Sequence, residues 1–187
     1  VNVDEELSEE KELVQRAEND MLTGVLNKKT MEKRVSLMLK NRGDKYVIFY
    51  MIDLDNFKNV NDTLGHIYGD QAIVETAQCL NKVFANQDCI GRLGGDEFAV
   101  CVSYQAFDEQ GLLEFIGKKA QEICAGNRRT YTDNASSVSI TSSIGVAYAP
   151  DMGDSFTELY TQADCALYYS KANGKDQYHI YSPEDDN

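Results

Sequence analysis

The sequence predicts an α/β (α+β) fold, with helices covering a central, mainly antiparallel five-stranded sheet and an N-terminal linker helix ahead of it. Three observations predict it. Tyr46–Ile52 is an unbroken β-branched and aromatic run, the pattern of a central strand buried on both faces. Apolar residues at 73, 74, 77, 80, 83 and 84 recur with the 3.6-residue period of a helix. Cys89–Leu93 and Phe98–Val102 are short apolar runs joined across Gly94-Gly95, a hairpin signal.

The other elements follow in chain order. Residues 3–20 read as one helix without Gly or Pro. Val3, Leu7, Val14, Ala17 and Met21 follow a 4-3 spacing, interrupted by Glu10 where an apolar residue is due. That suits a short parallel coiled coil, and equally a solvated helix with one apolar stripe. Asp20–Gly24 breaks the helix, and Asn27 caps the next one, which runs to about Lys40. Asn41–Asp44 is a turn. The strand at Tyr46–Ile52 ends in Asp53-Leu54-Asp55. Asn56–Leu64 is a short helix stopped by Gly65, and the next helix covers Asp70–Phe84. After the hairpin come a helix over Leu112–Cys124 and a long β-rich stretch over Ser137–Ala149. Ser155 caps a helix through about Ala172, ended by Asn173-Gly174, and Gln177–Tyr181 is a last strand. This order approaches a ferredoxin-like βαββαβ sandwich. The expected organisation is a linker helix over residues 1–20, one domain over 21–182 and an acidic tail over 183–187.

The 187 residues suffice for one domain with a proper core. The formal charge of -13 is uneven: residues 1–20 carry -6, Glu184, Asp185 and Asp186 add -3, and the body holds about -4. Binding to a nucleic acid polymer is thereby disfavoured, since it needs a basic footprint. A single nucleotide remains compatible, provided cations and a few lysines neutralise its phosphates. The longest apolar run is too short to span a bilayer, and the first residues do not have the pattern of a signal peptide. Five scattered cysteines without a Cys-x-x-Cys pair suit reduced thiols, so a cytoplasmic location is expected; the intact protein is free to be membrane-anchored.

Four groups of residues could carry chemistry. Asp53, at the end of a buried strand, offers a hard oxygen ligand on a rigid support, while Asp55 reads more simply as a loop-entry or cap residue. Asp96 and Glu97 follow Gly94-Gly95 at the hairpin, where like charges repel and a divalent cation would relieve them. The glycines would let a phosphate chain approach the backbone. Adjacent strand residues face opposite ways, so the two acids share a site only if one lies in the turn; an ordinary exposed Gly-Gly-Asp turn explains the segment as well. Lys58, Asn61, His66 and Asp70 form the third group. Lys58 could meet a phosphate, Asn61 and Asp70 suit the donors and acceptors of guanine, and His66 is as readily a turn residue. A buried carboxylate left unpaired would disfavour adenine. Asn61 and Asp70 also fit as helix-end residues. Lys171 and Lys175 flank Asn173-Gly174 and would either hold a triphosphate or face a helix dipole. No P-loop pattern occurs.

Together these segments resemble the GGDEF family of diguanylate cyclases. The resemblance spans about residues 17–181 and rests on Asp20-Met-Leu-Thr-Gly-Val-Leu-Asn27, Ile52 through His66, Gly69-Asp70, Arg92-Leu-Gly-Gly-Asp-Glu-Phe98, Ser143-Ile-Gly-Val146, and Ala163-Asp164 through Lys171-Ala-Asn-Gly-Lys175. It implies a nucleotidyl-cyclase, palm-like sandwich that condenses two GTP into cyclic di-GMP with loss of two pyrophosphates. By that resemblance Asp53, the Leu54 carbonyl and Asp96 bind Mg²⁺ or Mn²⁺, and Glu97 is a further ligand or a supporting carboxylate. Asp96 is also the usual candidate for general base. Asn61 and Asp70 read guanine, and Lys58, Lys171 and Lys175 hold phosphates. Each domain binds one GTP, so activity requires a homodimer, which pairing of the opening helices would favour. That helix reads as the tail of a linker, implying a sensory domain before it. One departure stands out. The family's inhibitory Arg-x-x-Asp motif is here Ala85-Asn86-Gln87-Asp88, so Asp88 remains without its arginine. A smaller one is Asn27-Lys28-Lys29, where the family usually shows arginine. The rival reading is an inactive domain that binds GTP and regulates a partner.

Overall fold

A computed structural model describes residues 2–85 and 88–187. The central strand, β2 (Tyr46–Asp55), pairs antiparallel on one side with β4 (Glu97–Tyr104) and on the other with β6 (Ser137–Ala149). Beyond β4 lie β3 (Cys89–Gly94) and the two-residue β1 (Leu26–Asn27), the latter parallel to β3. Beyond β6 lie β5 (Arg129–Thr132), antiparallel, and β7 (Tyr178–Ile180), parallel. The inner order β3-β4-β2-β6 is that of a ferredoxin-like sheet. Among the described residues the sheet has seven strands, not the expected five. β1 is too short to announce itself. β5 reads Arg-Thr-Tyr-Thr, with Tyr131 its one buried residue, so neither an apolar run nor a long alternation marks it.

Helices cover both faces, and the period of two in β2 decides which residues meet which helices. Ile48, Tyr50 and Ile52 face one layer, with Ile73, Ala77 and Leu80 of α4 (His66–Val83) and Leu112, Ile116 and Ala120 of α5 (Glu109–Asn127). Val47, Phe49 and Met51 face the other, with Met31 and Val35 of α2 (Lys28–Lys40) and Leu159, Ala163 and Leu167 of α6 (Phe156–Ala172). Asn27 and Ser155 cap α2 and α6 by accepting from the Thr30 and Glu158 amides at 3.0 and 3.2 Å.

Two boundaries differ from expectation. β2 runs on through Asp53-Leu54-Asp55, because β4 and β6 continue to pair with it there. Helix α4 starts at His66, four residues early, directly after α3 (Phe57–Leu64). Gly65, at φ +93°, turns the chain between them, so Gly69 and Asp70 lie inside a helix. The opening helix, α1 (Val3–Glu18), buries none of its residues. Residues Pro183–Asp186 form a 3₁₀ turn, tied down by His179 Nε2 on Asp185 at 2.8 Å and by the Tyr181 hydroxyl on Asp186 at 2.5 Å. Among the described residues, no helix is long and apolar enough to cross a membrane.

The approach of α6 to β6 depends on Gly145. A Cβ there would lie 2.9 Å from the Leu167 Cα, with the Leu167 amide nitrogen and the Ala163 carbonyl closer still. Backbone cannot step aside as a flexible side chain does. Gly145→Ala is therefore expected to cost about 3 kcal/mol, read as a lower urea midpoint at unchanged slope.

Candidate functional site

The chemistry-bearing residues gather at the C-terminal end of β2. Asp53 and Asp55 share the strand face that carries Phe49 and Met51 toward α6. Lys171, in the last turn of α6, reaches both: its Nζ lies 3.0 Å from Asp53 Oδ2 and 3.1 Å from Asp55 Oδ1. Glu97 opens β4 directly opposite Asp53 in the antiparallel register, so their side chains lie on one face. Asp96 lies in the turn just before it, and its carbonyl accepts from the Leu54 amide at 3.3 Å. The turn frees Asp96 from the alternation of the strand, and its charge acts on both Asp53 and Glu97.

Asp55 is the most constrained of the acids. It is 3% exposed and accepts from the Thr141 hydroxyl (2.6 Å), the Ser143 hydroxyl (2.7 Å), Lys171 and the Asp176 amide (3.2 Å). Burial alone would raise its pKa, but the hydrogen bonds from Thr141, Ser143 and Asp176 and the charge of Lys171 outweigh it and hold the carboxylate ionised below its ordinary range. Lys175 and Asp176 both adopt left-handed backbone conformations, at φ +60° and +49°, which non-glycine residues rarely take. The bond from the Asp176 amide to Asp55 helps fix that turn.

Asp53 behaves oppositely. Burial first, and then the negative charge of Asp96, push its pKa up to about 6 despite Lys171. Glu97 is also raised, by burial, Asp164 and Asp96. Its carboxylate accepts from the Tyr160 hydroxyl at 3.5 Å, and the Lys28 ammonium lies over the Tyr160 ring. The hairpin turn is gripped from outside. Arg92 donates through Nε and Nη2 to the Gly95 carbonyl (2.9 and 2.7 Å) and through Nη1 to Asp20 (3.2 Å), just after α1. Among the described residues, a Cβ on Gly94 or Gly95 would meet nothing within 4 Å, so the approach to this turn is open.

A second corner forms where α3 meets α4. The carboxamide of half-buried Asn61 lies against Gly69, beside exposed Asp70. Lys58, His66 and Lys175 are exposed and join no ion pair with the acids among the described residues. Ala85 and Asp88 lie at a separate groove of about 290 Å³ near the start of β3, where the Asp88 carboxylate accepts from the Ala85 amide at 3.1 Å. Asn86 and Gln87 lie outside the described residues.

Thr141 and Tyr160 do not figure in the sequence reading, Ser143 and Lys28 enter it only within motifs, and Asp55 enters it without a role at the site. By residue type Asp55 suits a loop entry or a cap, yet it sits two residues from Asp53, the strand period that brings both to one face. Nothing local marks Thr141, Tyr160 or Lys28, because only the register of β6 and the docking of α2 and α6 bring them in.

The two aspartates are expected to give opposite pH dependence. Asp53 holds its proton more tightly folded than unfolded, so its contribution to stability falls as pH rises from about 4 to about 7. Asp55 holds its proton less tightly, so its contribution is present above the ordinary carboxylate range and falls as pH drops below it. In chelator, Asp53→Asn should abolish the first loss and Asp55→Asn the second, as read by thermal midpoints across that range. Asp55→Asn should also lower stability at neutral pH by about 2 kcal/mol or more, because buried donors then face an amide.

Comparison with known proteins follows the same outline. The family model "Diguanylate cyclase, GGDEF domain" matches residues 17–177. The cyclic di-GMP phosphodiesterase PdeR of Escherichia coli K12 is 30% identical over 168 residues, covering 90% of this chain and 24% of that protein. The bifunctional diguanylate cyclase/cyclic di-GMP phosphodiesterase MucR of Pseudomonas aeruginosa is 33% identical over 171 residues, covering 90% and 24%. The chain therefore spans about a quarter of the length of these relatives. The crystal structure of the coiled coil and GGDEF domain of DgcB from Caulobacter crescentus, in complex with c-di-GMP, matches with a TM-score of 0.82 at 28% identity, covering 94% of this chain and 92% of that one. The chain belongs to the GGDEF-domain diguanylate cyclase family.

Proposed function

We propose that this chain is one half of a diguanylate cyclase active site, binding one GTP and acting when two copies face each other. The convergence of Asp53, Asp96 and Lys171 at the end of β2, beside the open Gly94-Gly95 turn, carries the reading. In the reaction, the 3′-oxygen of each GTP attacks the α-phosphorus of the other. The bond from that phosphorus to the bridging oxygen breaks, pyrophosphate leaves, and the 3′-hydroxyl proton passes to a base, for which Asp96 is the candidate. Lys58, Lys171 and Lys175 hold phosphate oxygens, while Asn61 and Asp70 meet the guanine edge, with His66 beside them.

The acids fit a divalent cation. No three His, Cys, Asp or Glu side chains among the described residues already converge as a preformed cluster. However, burial first and then the negative charge of Asp96 raise Asp53, and Lys171 supplies the positive charge beside it. Asp53, Asp96 and the Leu54 carbonyl would hold Mg²⁺ or Mn²⁺, with Glu97 in support. The cation would make the 3′-hydroxyl more acidic and balance charge on the attacking and leaving oxygens. Lys171 would then be released from Asp53 toward phosphate while Asp55 keeps it near.

Pairing of two copies is supported by α1, which buries none of its own residues and leaves Val3, Leu7 and Val14 exposed. The second reading is a domain that binds GTP without turnover and regulates a partner; the phosphodiesterase name of PdeR favours keeping it in view.

Incubation with GTP, ATP and Mg²⁺, followed by chromatography, is expected to give cyclic di-GMP from GTP alone. Activity per chain should rise with concentration, and removal of residues 1–18 should move that rise to higher concentration. Asp96→Asn should lower turnover about 100-fold or more while leaving the fold intact. GTP binding with no product from the wild-type chain would establish the second reading.

Without an arginine at position 85, and with Asp88 engaged by the Ala85 amide, feedback through this groove should be weak. Calorimetry with cyclic di-GMP is expected to show no submicromolar binding that Asp88→Ala removes.

A further inference from the structure

Gly69 lies buried inside α4, where an alanine would suit the helix better. Its backbone is not in the left-handed region, so conformation does not call for glycine. Space does. A Cβ on Gly69 would lie 2.8 Å from the Asn61 Cγ and 3.4 Å from its Nδ2, with Oδ1 closer still. The carboxamide of Asn61 thus fills the volume that a side chain at position 69 would need. The neighbouring Asn59 is engaged within its own helix, accepting from the Thr63 hydroxyl at 2.8 Å. The Asn61 carboxamide has no such partner among the described residues, and the next residue after Gly69 is the exposed Asp70.

We infer that Gly69 is a positioning residue for base recognition: by carrying no side chain, it seats the Asn61 carboxamide beside Asp70, so that the two present one donor-and-acceptor edge. The inference rests on the reading of Asn61 and Asp70 as the groups that meet guanine. A displaced carboxamide leaves part of that edge unread, and the loss is specific to the base because the phosphate groups lie at the other corner.

The test is a double-mutant cycle on the full 187-residue chain, read by calorimetry with nonhydrolysable analogues of GTP and of ITP, whose base lacks the 2-amino group. Gly69→Ala is expected to weaken GTP-analogue binding about tenfold and to narrow the preference over the ITP analogue, as Asn61→Ala does. In the Asn61→Ala background the space is vacated, so Gly69→Ala should then cost nothing further and should raise the thermal midpoint. Gly69→Ala that binds and discriminates like wild type overturns the inference, as do losses that multiply in the double variant. If Gly69→Ala alone unfolds, the double variant must still fold and bind like Asn61→Ala; an unfolded double variant overturns the inference. A wild-type chain that binds neither analogue sinks the parent reading and this one with it.

Discussion

The structure depends on β2 being held from four directions. It is paired along both edges and buried on both faces, with residues 47–52 all fully buried. A strand so held cannot shift register by one residue without exchanging its two apolar sets between layers. Its last three residues inherit that rigidity. The parity that sends Phe49 and Met51 to α6 also sends Asp53 and Asp55 there. The same register sets Glu97 opposite Asp53 and brings Thr141 and Ser143 to Asp55. Several acidic and hydroxyl groups are thus located by the packing of apolar ones.

Within that end, the two aspartates divide the work. A buried charge is tolerated when it is fully hydrogen-bonded, and Asp55 is: four donors from two elements and a loop converge on it. It ties β2, β6, the end of α6 and the turn before β7 into one knot. Asp53 is partly buried, shares Lys171 with Asp55 and faces Asp96, so burial and then that negative charge raise its pKa. A carboxylate with a raised pKa beside one fully hydrogen-bonded sets a rigid support next to the group proposed to hold the cation.

Most of the fold was legible because its elements are long and periodic. The buried run at Tyr46–Ile52, the capped helices ending at Lys40 and Ala172, and the hairpin across Gly94-Gly95 all correspond to real elements. The failures have local causes. β1 and β5 are short pieces recruited by pairing, and the early start of α4 depends on Gly65 turning α3 directly into it. At the candidate site, the residues with recognisable chemistry, Asp53, Asp96, Glu97 and Lys171, could be singled out from sequence. Those with ordinary chemistry, Thr141 and Tyr160, could not, because contacts across 63 to 86 residues give them their place. Asp55 lies between these cases, since its spacing from Asp53 is that of one strand face while its residue type suits a loop entry or a cap equally well.

The departures from local preference cluster in the same region. Acids end a β-strand, two consecutive non-glycine residues turn left-handed at Lys175 and Asp176, Asn56 does so between β2 and α3, and a glycine interrupts α4. Each would lower stability if judged alone, and consistency elsewhere in the chain is what sustains them. Each also has a definite geometric result. The left-handed turn points an amide at Asp55, the Asn56 side chain donates to the Ser139 carbonyl at 3.1 Å, and the glycine admits Asn61. Two corners result from these departures, one rich in acids and one offering a carboxamide beside a carboxylate, and α3 joins them directly from the end of β2. That short, rigid connection fixes the separation between whatever charge the acids gather and whatever base edge Asn61 and Asp70 meet. The proposed nucleotide, anionic at one end and heterocyclic at the other, would meet the two corners at that fixed separation, with a cation between its phosphates and the acids.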